Sequence, residues 1–171
     1  LDLTGFMDTV RHMPQIVAWN AIIFGALLYL CDRYGHSIRR MSDMTLSPAL
    51  IIGVAQAIAI IPGTSRSGIT MTAARGLGFT RPEAARFSFL LSIPANGAAS
   101  MLVIGDALES GRSISGAEII TGFLTFFVAL GTIAVLMRMI RTVSFLPFVI
   151  YRVLLGAVLL GLIYSGIPLG A

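Results

Sequence analysis

Ile60-Ile61-Pro62-Gly63-Thr64-Ser65-Arg66-Ser67-Gly68-Ile69-Thr70 sits inside one of the most apolar parts of the chain. Nothing about packing in lipid calls for an arginine among four hydroxyl residues. A charge near a bilayer centre costs at least ~2.5 to 3.5 kcal/mol on insertion scales, so an intramembrane arginine is read as functional by default. Pro62 and Gly63 break the preceding helix where the polar cluster begins. Irregular backbone at such depth is tolerated only where it is buried in protein or lines a wet cavity. The stretch therefore reads as an anion site built into a broken membrane helix.

Composition agrees with that setting. The chain is 56% hydrophobic and 12% charged, with mean hydropathy +0.89, against roughly 25% charged residues in soluble domains. Its net charge of +4 comes from arginine alone, since it has no lysine. That excludes a Walker loop. Arginines flanking spans are the ordinary topology signal, and all but Arg66 are assigned that role. Nothing in the sequence suggests nucleic-acid binding. Cys31 is the only cysteine, so neither an internal disulfide nor a thiolate metal cage is available.

Working outward from the motif, Pro48 to Ile61 is too short to cross a hydrocarbon core of ~30 Å, and Ile69 to Leu77 is shorter still. Together they predict a re-entrant hairpin over about 48–77. Four full spans surround it: Pro14 to Cys31, Ala84 to Gly105, Ile119 to Met137 and Pro147 to Tyr164. Thr80-Arg81-Pro82-Glu83 marks a helix start, and Ser92-Ile93-Pro94-Ala95-Asn96-Gly97 predicts a kink with an amide at depth. Asp32 to Ser47 and Asp106 to Glu118 are polar connectors.

Charge placement supports the hairpin. If it enters and returns on one side, Arg33, Arg39, Arg40, Arg75, Arg81, Arg86, Arg138 and Arg141 share a face, with only Arg11 and Arg112 opposite. That is the asymmetry expected of a basic cytoplasmic side. A full crossing would dissolve it. The fold expected is thus an all-α polytopic membrane protein, a single membrane domain over 1–171.

The chemistry of the motif follows from its residue types. An arginine fork suits phosphate oxygens and stays charged at any accessible pH. Gly63 and Gly68 allow backbone turns that expose amides, and the half-helix after Gly68 presents a free N-terminus, a ready anion site. Thr64, Ser65, Ser67 and Thr70 can donate hydrogen bonds to the same oxygens, or one hydroxyl can act as nucleophile. The competing reading pairs Arg66 with backbone carbonyls and folds the hydroxyls back into their own helices. A nucleophile elbow does not fit, for want of strand–turn–helix context and a histidine partner.

Every carboxylate (Asp2, Asp8, Asp32, Asp43, Glu83, Asp106, Glu109 and Glu118) falls in a connector or at a span end, and so do His12 and His36. Metal-assisted phosphoryl hydrolysis needs carboxylate ligands and usually a base within reach. No metal ligand is therefore assigned within this chain. It either binds without catalysing or draws its acid/base half from elsewhere.

Asp43-Met44-Thr45, Gly53 to Gln56, Pro62 to Thr70, Arg86 to Pro94 and Ser144 to Arg152 occur in that order. The combination closely resembles the C-terminal part of the bacterial undecaprenyl-diphosphatase family, of the bacitracin-resistance type, over about 32–164. The resemblance implies a multi-pass enzyme of the bacterial inner membrane that hydrolyses undecaprenyl diphosphate to the monophosphate and phosphate, recycling a lipid carrier for cell-wall synthesis. It implies a divalent cation, Mg2+ or Ca2+, and two inverted repeats, of which this chain is one. It gives Ser65, Arg66 and Thr70 catalytic roles, Arg66 holding the diphosphate and the two hydroxyls bonding it, with Gly63, Thr64, Ser67 and Gly68 completing the binding segment.

The family's first motif, rich in glutamate and followed by a serine–serine–threonine–glycine–histidine stretch, has no counterpart here. With Leu1 in place of methionine, the expectation is a C-terminal portion, inactive alone, whose partner is the missing N-terminal half. The rival is a transporter or anion-binding repeat that uses the same broken helix without hydrolysis.

Overall fold

The structure, a computed structural model, describes residues 14–111 and 115–165. Six α-helices make it up: α1 (Pro14–Tyr34), α2 (Leu46–Ala57), α3 (Arg66–Gly76), α4 (Arg81–Glu109), α5 (Gly116–Ile140) and α6 (Leu146–Tyr164). Short 3-10 turns occupy Met41–Asp43 and Ile58–Ile60. Four segments are long and apolar enough to cross a membrane: Pro14–Tyr34, Arg81–Ala107, Gly116–Ile140 and Leu146–Tyr164. They correspond to the four spans expected. From Gly116 to Val135, α5 is left uncovered on all sides. Such a surface is at home against hydrocarbon, which solvates it as well as another helix would.

Small residues set the tightest packing. Ala18, Ala21 and Gly25 recur on one face of α1 and are buried, as are Val149, Arg152 and Gly156 on α6. Without a hydrophobic driving force between helices in lipid, close backbone approach supplies the attraction. A Cβ added to Gly156 would stand 2.6 Å from Ile22 Cγ1 and 2.7 Å from the Ala18 carbonyl oxygen. Gly156→Ala is accordingly expected to destabilise the fold by about 1–3 kcal/mol through overpacking. Gly53, which has nothing within 4 Å of an added Cβ, serves as the neutral control. Equal unfolding temperatures for the two alanine variants in detergent would refute this account of the interface.

At the opposite end of that interface the helix termini converge on Asp32, which is 7% exposed. Its Oδ1 accepts from Arg75 Nε of α3 at 3.0 Å and from Arg81 Nε of α4 at 2.7 Å. Oδ2 receives the Phe145 amide at 3.4 Å just before α6. Arg75, 1% exposed, also donates to Ser37 Oγ and to the carbonyls of Phe79, Asp32 and Gly35. Leu28, Met71, Ala85, Ile140, Phe145 and Val149 form one apolar core beside this hub; Ile52, Ala74, Phe79 and Ala84 form another.

These contacts gather the end of α1, the Arg39 segment, the α3–α4 junction at Arg75 and Arg81, and the start of α6 at one end of the bundle. Helices α2 and α3 are joined through residues 58–65 and pack on one another through Ile52 and Ala74. Arg11 and Arg112, expected opposite, lie outside the described residues.

Two expected helix bounds need correction. Helix α1 continues past Cys31 to Tyr34, so Asp32 belongs to the helix and not to the connector. Its pairing with two arginines compensates a buried carboxylate there. Second, α3 begins at Arg66 and not at Ile69. Helix α4 runs on through Pro94, a residue that removes one backbone hydrogen bond from the helix interior. Arg75 also departs from the purely topological role given to it, since it is buried and fully engaged.

Candidate functional site

Two side chains hold the carbonyls of the Pro62-Gly63 turn: Asn20 Nδ2 of α1 donates to Pro62 O at 2.8 Å, and Arg152 Nη2 of α6 donates to Gly63 O at 2.7 Å. Irregular backbone at membrane depth requires such partners. Gly63 has φ +85°, and a Cβ there would fall 2.4 Å from the Val17 carbonyl oxygen. Only glycine meets both conditions.

Ser65 is the N-cap of α3. Its Oγ accepts from the Gly68 amide at 3.3 Å, and its φ is +65°. A left-handed non-glycine residue carries backbone strain of about 1–2 kcal/mol. Alanine would keep that strain and lose the cap, costing about 0.5–2 kcal/mol. Glycine would relieve the strain and lose only some of the capping. Ser65→Gly is therefore expected to be more stable than Ser65→Ala, against the ordinary helix preference, as read by thermal unfolding of both variants. Alanine proving equal or better would remove the strained backbone from the account.

The first turn of α3 faces two ways. Ser65, Ser67 and Gly68, together with Gly63, line a cavity of about 430 Å³. The rest of its wall is almost wholly apolar, including Val17, Ala21, Met71, Phe89, Phe148 and Leu155, apart from Tyr151 and Arg152. On another side, uncovered by this chain, Arg66 Nη2 donates to Asn96 Oδ1 of α4. Asn96 is the amide of the Ser92 to Gly97 stretch. It gives a charged fork with several N–H donors one neutral partner.

The remaining hydroxyls turn inward. Thr64 and Thr70 are each 1% exposed, and neither they nor Arg66 lie on the cavity wall among the described residues. Thr70 Oγ1 reaches Arg66 O at 3.1 Å, Ser67 O at 3.0 Å and Ser88 Oγ at 2.7 Å. Thr72 Oγ1 donates to Gly68 O at 2.7 Å. For the threonines of α3, the competing reading of hydroxyls folded back into their own helix describes the geometry.

Arg152 is the side chain that sequence reasoning missed. It is 9% exposed, and a Cβ on Gly68 would stand 2.7 Å from its Nη1. The signal was available: as the seventh residue of α6, it lies roughly 9 Å along the helix at 1.5 Å per residue. It was read as a flank because it falls near the start of an apolar run.

Among the described residues, no group of three His, Cys, Asp or Glu side chains comes together to hold a metal ion. The donors at the turn are hydroxyls, amides and guanidinium groups, which do not fit a divalent cation.

Four membrane-length helices around a short hairpin, with a polar turn at one end of an apolar cavity, define a multi-pass helical membrane protein. The chain belongs to the family described as bacitracin resistance protein BacA, which matches residues 2–158. Curated relatives named undecaprenyl-diphosphatase include one from Erythrobacter litoralis, 47% identical over 90% of this chain and 54% of its own length. One from Ruegeria pomeroyi is 44% identical over 96% of this chain and 62% of its own. Another, from Chromohalobacter salexigens, is 49% identical over 92% and 60% respectively. The chain thus spans 54% to 62% of the length of these relatives.

Proposed function

We propose that this chain carries the anion-holding part of an undecaprenyl-diphosphate phosphatase of the bacterial inner membrane. The observation that carries this reading is Arg66: a permanent charge at the first position of a helix broken between membrane-length spans, with a single neutral partner. The N–H groups of a first helical turn lack intrahelical acceptors and favour an anion. Beside them the cavity offers apolar walls for the first isoprene units of a lipid tail. A polar head joined to an apolar chain matches that junction, and the name carried by the relatives supplies the particular lipid.

In this reading Arg66 grips the diphosphate, Ser65 and Ser67 donate to its oxygens, and Gly63 and Gly68 let the backbone approach. Thr70 acts differently from the sequence expectation. It bonds the Arg66 and Ser67 carbonyls and Ser88, and so fixes the first turn of α3 against α4 as a positioning residue. Thr64 is likewise internal. The reaction breaks the phosphoanhydride by adding water, leaving the lipid monophosphate and inorganic phosphate. The base, the nucleophile and the carboxylates that would hold Mg2+ or Ca2+ are assigned outside the described residues, in the part of the enzyme that completes the site.

Phosphate release from undecaprenyl diphosphate tests this, using the chain alone and together with the N-terminal half of a relative, with and without divalent cation. Release only from the combination is expected. Release by the chain alone would show that its own carboxylates reach the turn and overturn the division of labour. Binding with no release by an intact relative would favour the anion-binding or transport alternative.

A further inference from the structure

The α1–α6 interface buries a charge that the packing does not explain. Arg152 is 9% exposed, and its Nη2 is taken up by Gly63 O. Its Nη1 is buried with no hydrogen-bond partner among the described residues. The ion pairs among those residues all belong to Asp32, so no carboxylate offsets Arg152. A buried cation lacking an anionic partner is strongly unfavourable, and such groups are kept where something else compensates them. The unpartnered nitrogen points at the first turn of α3, within 2.7 Å of where a Gly68 Cβ would be. Arg152 shares the cavity wall with Ser65, Ser67 and Gly68. Gly68 is therefore the residue that leaves room for the guanidinium.

We propose that Arg152 is a second anion-holding residue, offering Nη1 to the phosphate end of the bound lipid from α6, while Arg66 acts from α3. The inference rests on the function proposed above and adds a residue to the same site. Arg66 and Arg152 flank the same first turn of α3, one on its Asn96 side and one on the cavity wall, and a diphosphate has two phosphoryl groups to hold. The Gly63 bond gives Arg152 a second duty, since the arginine that meets the anion also sets the turn that presents Ser65.

Calorimetric titration of the intact protein in detergent with farnesyl diphosphate, and with farnesol as the uncharged comparison, tests this. Arg152→Gln is expected to weaken the diphosphate by about tenfold to a hundredfold, the loss of one charged hydrogen bond, and to leave farnesol unchanged. A purely structural arginine would weaken both ligands alike, which overturns the proposal. Should Arg152→Gln fail to fold, Arg152→Lys decides: it keeps the charge but, as a point donor, cannot both hold the Gly63 carbonyl and reach the anion. It is expected to lower diphosphate affinity and to leave farnesol unchanged. Wild-type affinity in Arg152→Lys, with Arg66→Gln weakened, sinks the role of Arg152 and leaves that of Arg66 standing. Wild-type affinity in Arg66→Gln sinks the underlying reading and this one with it.

Discussion

On the function proposed above, Arg66→Ala in an intact chain of this family is expected to lower phosphate release by about a hundredfold to a thousandfold, the usual cost of removing one preorganised donor to developing charge. The side chain is poorly placed to serve anything else. It lies outside both apolar cores, and among the described residues its side-chain bond is to Asn96. Folding should therefore tolerate its loss, and helical content and unfolding temperature are expected to stay close to wild type. Arg66→Lys keeps the charge but replaces a planar fork by a point donor. It is expected to recover less than a tenth of the lost rate. Asn96 sharpens the test, because it occupies one end of the guanidinium and leaves the other donors for the ligand. Turnover near wild type in either variant, with the fold intact, would remove Arg66 from phosphate binding.

The spans were legible because lipid demands long apolar runs whatever their neighbours. Pro14 to Cys31 and Pro147 to Tyr164 came within three residues of α1 and α6 for that reason. The broken helix was legible through Pro62-Gly63, whose local effect needs no tertiary information. What the sequence hid is which way each hydroxyl points. Thr64, Ser65, Ser67 and Thr70 are equivalent as polar neighbours of Arg66, and only the position of the cap separates them. With Ser65 as N-cap and α3 starting at Arg66, Ser65 and Ser67 reach the cavity. Thr70, one turn on, meets Ser88 of α4. Charge at span ends was ambiguous in the same way. Arg33, Arg75 and Arg152 look alike as flanks of apolar segments, yet Arg75 and Arg152 are buried and Arg33 is not. Pairing across 43 residues, as between Asp32 and Arg75, leaves no local trace.

Asp32→Ala is expected to be among the most destabilising single changes in the chain, at about 3–5 kcal/mol, because removing one member of a buried pair leaves the other uncompensated. Arg75 would keep its bonds to Ser37 Oγ and to the carbonyls of Phe79, Asp32 and Gly35, but its charge would have no counter-ion. Arg81 Nε and the Phe145 amide would lose the same carboxylate, so the ends of α1, α3, α4 and α6 would loosen together. A domain of ordinary stability has only ~5–15 kcal/mol in hand, so the variant should unfold at markedly lower denaturant or temperature. The cause is separable from lost volume by a double-mutant cycle. Asp32→Ala combined with Arg75→Met removes both charges and is expected to cost less than the sum of the single changes. Additive losses would mean that the hub acts through packing and not through charge. A loss below about 1 kcal/mol for Asp32→Ala, the range of an exposed pair, would mean that water reaches this end of the bundle.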